Sequence, residues 1–97
     1  MAFTIIIAPE AVEDLRRHRA LVRVSVKDAM KVHLRHEPRK ESRSRVKRLR
    51  GLSRPQYRLR VDDVRVFYDV TDTTVEVLAI VSKAEAESWL SQFGSPK

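Results

Sequence analysis

The sequence predicts a single small α+β domain, residues 1–97, with the element order β-α-α-β-β-β-α. A β-branched run over Phe3–Ala8 ends at Pro9, a residue that suits the first turn of a helix. Residues 20–37 then lack Gly and Pro and repeat apolar side chains four residues apart, which is typical of an amphipathic helix. Between residues 56 and 81, three runs of strand length are rich in Val, Tyr, Phe and Thr. We therefore expect an antiparallel sheet with two N-terminal helices packed on one face.

The two helices are predicted to form a hairpin. The first begins at Pro9, has acidic residues in its opening turns and ends with Arg16, Arg17 and His18, the charge order that a helix dipole favours. The second runs from Ala20 to the residue before Pro38. The apolar residues expected to face the sheet are Ala11, Val12 and Leu15 in the first helix and Val22, Val26, Ala29, Met30 and Leu34 in the second.

Residues 39–55 are predicted to be mostly loop, with at most a short strand or turn, and three strands and a helix follow them. The strands are Gln56–Val61, Val64–Thr71 and Thr74–Val81, separated by two short turns, Asp62-Asp63 and Asp72-Thr73. The last segment, Ala84–Phe93, has apolar residues at helical spacing before Gly94 and Pro96.

Side chains alternate between the two faces of a strand, so the meander predicts which residues point together. A two-residue turn at Asp62-Asp63 places Arg60 opposite Arg65 and Tyr57 opposite Tyr68. The face toward the helices is expected to hold Tyr57, Leu59, Val61, Val64, Val66, Tyr68, Val70, Val75, Val77, Ala79 and Val81. The other face is expected to hold Arg58, Arg60, Arg65, Phe67, Leu78 and Ile80.

The chain is basic, with a net charge of +7, but the charge is unevenly distributed. Residues 39–60 contain ten basic residues and one acid, for a net charge of +9, and the remainder of the chain carries −2. A local surplus of this size indicates a surface that binds a polyanion. The other interpretation, a solvated basic loop and strand, has the same composition.

Several classes of protein are excluded or disfavoured. The chain has no Cys, which removes disulfide and thiol chemistry, and its two Gly residues provide no phosphate-binding loop. We expect no cofactor and no metal, since His33 and His36 with Glu37 fit the solvated end of a helix better than a metal site. The N-terminus resembles no signal peptide, and we expect a soluble, cytoplasmic protein that does not bind membranes.

Arg58, Arg60 and Arg65 form the candidate site. Directly opposed arginines repel each other by a few tenths to about 1 kcal/mol, so a compensating negative charge is expected. Asp69 or Glu76, which fall on the same predicted face, are one possible source. A bound phosphate, which Arg holds in bidentate fashion, is the other and the favoured one. Phe67, Leu78 and Ile80 offer a stacking surface for bases, an apolar contact for a protein partner, or packing under the C-terminal helix.

Several short motifs together resemble one family. They are Ala11-x-x-Asp14-Leu15, Lys47-Arg48-Leu49-Arg50-Gly51, Tyr57-Arg58-Leu59-Arg60, Arg65-Val66-Phe67-Tyr68 and Val75-Glu76-Val77-Leu78. In this order, and with the predicted element order, they are similar to the RelE/ParE toxins of type II toxin–antitoxin modules. The resemblance implies a growth-inhibiting toxin that is neutralised by an antitoxin protein.

Two activities occur in that family, and the resemblance leaves both open. RelE-like members cut mRNA in the ribosome, whereas ParE-like members inhibit DNA gyrase. We expect the first, a metal-independent endoribonuclease with mRNA and the ribosome as partners and no small-molecule substrate. The alternatives are a gyrase inhibitor and an inactive homologue that binds only its antitoxin.

The resemblance also implies roles for individual residues. Arg58, Arg60 and Arg65 match the positions that hold and activate the scissile phosphate, and Lys83 or Glu85 is the candidate for proton transfer. The chain departs from the RelE-like pattern near its C-terminus, where Ala84 and Leu90 stand at positions that often hold an Arg and a Tyr or His. Further contacts with RNA phosphates are expected from Arg45, Lys47, Arg48, Arg50 and Arg54. The same basic segment is expected to attract an acidic part of the antitoxin.

Overall fold

A computed structural model describes residues 2–97. In chain order, its elements are β1 (Thr4–Ile7), α1 (Pro9–Arg17), α2 (Ala20–Leu34), β2 (Val46–Arg48), β3 (Leu52–Arg54), β4 (Tyr57–Val61), β5 (Val64–Val70), β6 (Thr74–Ser82), α3 (Lys83–Phe93) and β7 (Ser95–Pro96).

Five strands form the main sheet in the order β1-β6-β5-β4-β2, and β3 pairs with β7 in a separate two-stranded sheet. The predicted α+β fold is confirmed, and the predicted elements occur in the expected order with three short strands, β2, β3 and β7, added to them. Two details differ from the expectation. β1 pairs with β6 in parallel, so the sheet is antiparallel everywhere except at this edge. The segment expected to be mostly loop also contains the two three-residue strands β2 and β3.

The helical hairpin covers one face of the sheet, as predicted. Ala11 and Leu15 of α1 and Val26, Met30 and Leu34 of α2 are buried in the core. The second helix ends three residues before the predicted end at Glu37. Pro38 is buried beyond it, and its carbonyl oxygen accepts a 2.7 Å hydrogen bond from the Tyr68 hydroxyl. Within residues 2–97, no helix has both the length and the apolar character needed to cross a membrane.

The sheet contributes its predicted apolar face to the same core. Tyr57 and Tyr68 stack across β4 and β5 with ring centroids 5.5 Å apart. Leu59 and Val66 pair beside them, and both are fully buried. These contacts fix the register of the β4–β5 hairpin, because a slip of one residue would move the whole apolar set to the opposite face.

A β-bulge changes the predicted alternation along β6. The register passes from Phe67 opposite Ala79 to Tyr68 opposite Val77, which leaves one extra residue, Leu78, on β6. Beyond the bulge every side chain therefore changes face. Ile80 joins the core opposite Val66. Its predicted place on the face that carries Arg58, Arg60 and Arg65, called the arginine face below, is therefore wrong.

The same bulge moves two other residues away from the predicted core. Ala79 and Val81 pair with Phe67 and Arg65 respectively, on the face away from the helical hairpin. Their expected placement against the helices is wrong for the same reason. Alternation predicts a face correctly only as far as the first inserted residue.

The third helix, α3, covers part of the face opposite the hairpin. Trp89 stacks on Phe67 with centroids 5.1 Å apart and an interplanar angle of 7°, and Phe93 lies 5.6 Å beyond Trp89. Phe67 is 1% exposed. Of the three uses left open for Phe67, the structure shows packing under the C-terminal helix.

Candidate nucleic-acid site

The site is built on the β4–β5 hairpin, and its geometry begins at the turn. Asp62 has a φ of 51°, in the left-handed region that Asp tolerates better than most residues. This turn sets the predicted register, with Val61 opposite Val64 and Arg60 opposite Arg65. The predicted pairing of the two arginines is therefore confirmed.

The three arginines of this face differ in exposure. Arg60 is exposed, Arg58 is half-buried and Arg65 is only 7% exposed. The Nη1 of Arg65 donates to the carbonyl oxygens of Asp62, at 2.8 Å, and Val64, at 3.1 Å. Arg65 is thus tied to the turn, and its charge remains close to the other two arginines.

Arg58 has the least favourable surroundings of the three. Its Nε is buried and forms no hydrogen bond within the described residues. Burial lowers the pKa of Arg58, and the charges of Arg65 and Arg60 lower it further. A buried donor on a cation without a partner is costly unless a ligand supplies the acceptor. Arg58 is therefore the residue at which an anion is most needed.

The carboxylates that were expected to offset these arginines are engaged elsewhere. Nε of Arg54 lies 3.6 Å from Oδ2 of Asp69, and its Nη2 lies 3.1 Å from Oε1 of Glu76. Asp69 also accepts a 2.8 Å hydrogen bond from the backbone N–H of Gln56. The acids of this face consequently pair with Arg54, and no carboxylate among residues 2–97 forms an ion pair with Arg58, Arg60 or Arg65.

Gln56 is a positioning residue that the sequence interpretation did not identify. Besides its backbone bond to Asp69, its Oε1 accepts the N–H of Val70 at 3.0 Å, so it links β4 to the end of β5. Burial raises the pKa of Asp69, while the Gln56 hydrogen bond and the Arg54 charge oppose the rise. No spacing within the chain indicates such a link, since Gln56 and Val70 are 14 residues apart.

Two further basic residues extend the arginine face. Lys47 pairs with Arg58 across β2 and β4, and its side chain is exposed. Arg45 is also exposed, and its carbonyl oxygen accepts the N–H of Arg60 at 2.8 Å. Both residues therefore border the three arginines, and each provides a cation at the solvent side of the site.

The other residues expected to contact phosphates lie apart from this cluster. Arg48 stands over the ring of Tyr57, 5.1 Å from its centroid, on the opposite face of the sheet. Arg50 is exposed after β2 and lines a cavity of about 380 Å³ with Arg48, Gly51 and Lys97. Arg54 is occupied by its two ion pairs. The basic segment is thus divided among several surfaces.

Lys83 lies at the same end of the sheet as the arginine pair. Its backbone N–H donates to the carbonyl oxygen of Asp63, next to the β4–β5 turn, and its side chain is exposed. Glu85, the other candidate for proton transfer, accepts a 2.9 Å hydrogen bond from the Ser82 hydroxyl at the start of α3. Lys83 is therefore the less constrained of the two.

This arrangement suits an anion with several oxygens. Guanidinium groups bind phosphate in bidentate fashion, and a half-buried site strengthens the attraction because it is poorly screened by water. Residues 2–97 contain no group of three His, Asp or Glu side chains placed to hold a metal ion.

Comparison with known proteins places these features in a family. The family model described as the ParE toxin of the type II toxin–antitoxin system parDE matches residues 5–87. No curated protein matches the chain significantly.

Solved structures share the fold. A double arginine-to-alanine mutant of the Escherichia coli toxin RelE in the free state has 28% identity and a TM-score of 0.72, covering 94% of this chain and 93% of that one. RelE in the archaeal RelE–RelB complex from Pyrococcus horikoshii has 23% identity and a TM-score of 0.70, with 86% and 97% covered. The RelB–RelE complex from Methanococcus jannaschii gives 16% identity and a TM-score of 0.67, with 87% and 96% covered.

The family match spans both the helical hairpin and the strands that carry Arg58, Arg60 and Arg65. It agrees with the resemblance indicated by the sequence motifs and with the shared fold of the RelE structures. The chain is a member of the RelE/ParE family of type II toxin–antitoxin toxins.

Proposed function

We propose that this chain inhibits translation as a ribosome-dependent, metal-independent mRNA endonuclease in the cytoplasm, and that an antitoxin neutralises it. The observation that carries the proposal is the buried, unpartnered Nε of Arg58 beside two further arginines. The antitoxin is supported by two of the similar structures, the archaeal RelE proteins from Pyrococcus horikoshii and Methanococcus jannaschii, which were solved as complexes with RelB.

The proposed reaction is internal transesterification of RNA. The 2′-oxygen of a nucleotide forms a bond to the adjacent phosphorus, and the bond from phosphorus to the 5′-oxygen breaks, which leaves a 2′,3′-cyclic phosphate and a 5′-hydroxyl. One proton leaves the 2′-hydroxyl and one is added to the departing 5′-oxygen. The charge that builds up on the phosphate in between is what a catalyst has to stabilise.

The residues of the arginine face are suited to stabilise the negative charge on the phosphate. Arg58 and Arg60 would contact the phosphate oxygens, with Arg65 behind them as a third positive charge held by the turn. Lys47 and Arg45 would hold neighbouring phosphates of the strand. An Arg is a poor base, so we assign proton transfer to Lys83, whose side chain is exposed at the same end of the sheet.

The test uses ribosomes that are programmed with a defined mRNA and the full chain. We expect cleavage at codon-phased positions and a loss of about 100-fold in rate for Arg58→Ala, the magnitude typical of removing one transition-state donor. Arg16→Ala, an exposed change outside this face, is the control and should cleave normally. Intact mRNA with the folded parent chain would refute the nuclease proposal.

A second candidate function is inhibition of DNA gyrase through protein contact. It is favoured by the family model, which is that of the ParE toxin, and by Glu85, whose carboxylate is engaged by Ser82. Purified gyrase is the direct assay. Loss of supercoiling with intact mRNA would establish this candidate, whereas normal supercoiling, normal translation and unimpaired growth would identify an inactive homologue.

A further inference from the structure

The first strand lies at an open edge of the main sheet. β1 pairs with β6 on one side, and no strand within residues 2–97 borders its other side. The backbone N–H groups of Thr4 and Ala8 donate toward β6, at 3.0 and 2.9 Å. Alternate residues of a strand hydrogen-bond to opposite sides, so Ile5 and Ile7 direct their N–H and C=O groups away from the sheet.

Two residues limit the length of this open edge. The N–H of Phe3 donates to the carbonyl oxygen of Arg35 at 2.6 Å, so it needs no further acceptor. Pro9 has no N–H to donate. Between these two limits, Ile5 and Ile7 turn both backbone groups to a side that no strand of residues 2–97 occupies.

The side chains of β1 do not protect this edge. The strand reads Thr-Ile-Ile-Ile, with no charge and no Pro, and Ile6 is 48% exposed. Natural edge strands usually carry charges, Pro or bulges that discourage pairing with another chain. The opposite edge of the sheet, β2, follows that pattern with Lys47 and Arg48. The edge at β1 therefore indicates a place where a further strand can add to the sheet.

We propose that β1 pairs in antiparallel fashion with β1 of a second copy of the chain, about a twofold axis at Ile6. In this register Ile5 of one copy is opposite Ile7 of the other, and each such pair exchanges two hydrogen bonds. Both outward-directed N–H groups of each copy thereby gain an acceptor. The two five-stranded sheets become one continuous sheet. This pairing does not depend on the proposed function.

Other registers fit the edge less well. An axis at Ile5 would set the carbonyl oxygen of Ile7 against the N–H of Phe3, which already donates to Arg35. A pairing of Ile5 with Ile6 would put a side chain that packs against the core and an exposed one on the same face. The axis at Ile6 avoids both conflicts and brings the exposed Ile6 against its own copy.

The charges at the two ends of β1 complement each other in this arrangement. Antiparallel pairing brings Phe3 of one copy opposite Pro9 of the other, and Glu10 follows Pro9. Arg39 stands over the Phe3 ring, 5.9 Å from its centroid, and Arg35 bonds to the Phe3 backbone. All three charged residues are exposed and form no ion pair among residues 2–97. Each Glu10 would thus approach cations of the other copy, which favours a second copy over a strand of another protein.

The arginine faces of the two copies would stay far apart. Three strand spacings separate β1 from β4 in each copy, and one more separates the two β1 strands. The distance between the two Arg58 residues is then about 34 Å. Charges are screened beyond about 8 Å at physiological ionic strength, so the arginine faces do not oppose the pairing. Both faces would lie on the same side of the joined sheet and remain open.

Sedimentation equilibrium of the full chain, without any partner, tests the proposal. We expect a shift from monomer to dimer between about 1 μM and about 1 mM, because a short strand edge is a small interface. Ile6→Lys places like charges on the twofold axis and should weaken the dimer at least about tenfold. Leu21→Lys adds the same charge at an exposed aliphatic position of α2 and should dimerise like the parent. Circular dichroism should show both variants folded.

Cross-linking tests the register. The chain has no Cys, so a single introduced thiol reports on one contact. Opposed residues that are not hydrogen-bonded lie about 4.5 Å apart between Cα atoms in an antiparallel pair, a distance that a disulfide spans. Ile6→Cys should therefore oxidise to a covalent dimer. Thr4→Cys, exposed on the same strand, would be opposite Ala8 of the other copy and should remain monomeric.

Several results would overturn the proposal. They are a parent chain that is monomeric at about 1 mM, a dimer that Ile6→Lys leaves unchanged, and equal cross-linking of Ile6→Cys and Thr4→Cys. A monomeric parent whose binding to the antitoxin is weakened by Ile6→Lys would assign the edge to a strand of the antitoxin, which also overturns it. None of these results concerns mRNA cleavage, so the proposed function would stand or fall separately.

Discussion

Asp14 on α1 accepts, through Oδ2, a 3.0 Å hydrogen bond from the backbone N–H of Ile80 on β6, 66 residues further along the chain. His18, one helical turn later, places Nε2 at 3.1 Å from the carbonyl oxygen of the same residue. Ile80 follows the β-bulge, where ladder hydrogen bonds are interrupted. Asp14 and His18 thus contact both backbone polar groups of Ile80, at a point on β6 beyond its last pair with β1.

Asp14→Ala should therefore destabilise the protein. The change leaves the part-buried N–H of Ile80 without an acceptor, at a cost of about 1–3 kcal/mol in the free energy of unfolding. Urea denaturation measures it. Glu13→Ala is the control, since Glu13 makes only an exposed ion pair with Arg16 and should change stability little. Equal effects of the two substitutions would contradict the role assigned to Asp14.

The bulge also shows why part of the fold could not be predicted from the sequence. Alternation and the Asp62-Asp63 turn predicted the register of β4 and β5 correctly, because both signals are local. The faces of Ala79, Ile80 and Val81 depend on the inserted residue Leu78, and no local pattern indicates it.

The same contrast between local signals and distant contacts applies to the candidate site. The common face of Arg58, Arg60 and Arg65 comes from local alternation and was predicted. The engagement of Asp69 and Glu76 by Arg54 joins residues 15 and 22 positions apart, and no local pattern predicted it.

Tyr68 should give the protein a pH dependence on the alkaline side. Burial, with a smaller contribution from Tyr57, raises the pKa of Tyr68 above its ordinary value of 10.0. The folded state therefore favours the neutral phenol, and its stabilising contribution is complete below pH 10.0 and is lost as pH rises through the folded pKa.

Tyr57→Phe isolates this effect, because Tyr57 and Tyr68 are the only two tyrosines. Ultraviolet titration of that variant should show the remaining phenol ionising above pH 10.0, and only as the protein unfolds. Tyr68→Phe removes the hydrogen bond to Pro38 and should cost about 0.5–1.5 kcal/mol. A phenol that titrates reversibly near its ordinary pKa in the folded protein would show that it is accessible to solvent.

The packing of α3 against the sheet should depend on Trp89. This helix has no fully buried residue, and its aromatic contact with the sheet is the stack of Trp89 on Phe67. Trp89→Ala removes that contact, and hydrogen exchange should show lost protection in residues 83–93 while β5 and β6 keep theirs. Ser88→Ala, an exposed change on the same helix, is the control. Protection of α3 that survives Trp89→Ala would place its attachment elsewhere.

Arg58 should lower the free energy of unfolding of the protein. Its charge faces those of Arg60 and Arg65, and its buried Nε has no partner, so Arg58→Met should raise the free energy of unfolding by a few tenths to about 1 kcal/mol. The same variant should lose mRNA cleavage. Arg43→Met, in an exposed loop, should change neither quantity. Because repulsion between the arginines is screened by salt, the stability gain should shrink at high ionic strength. Destabilisation by Arg58→Met would instead show that the arginine is structural, and the case for a phosphate site would lose its main support.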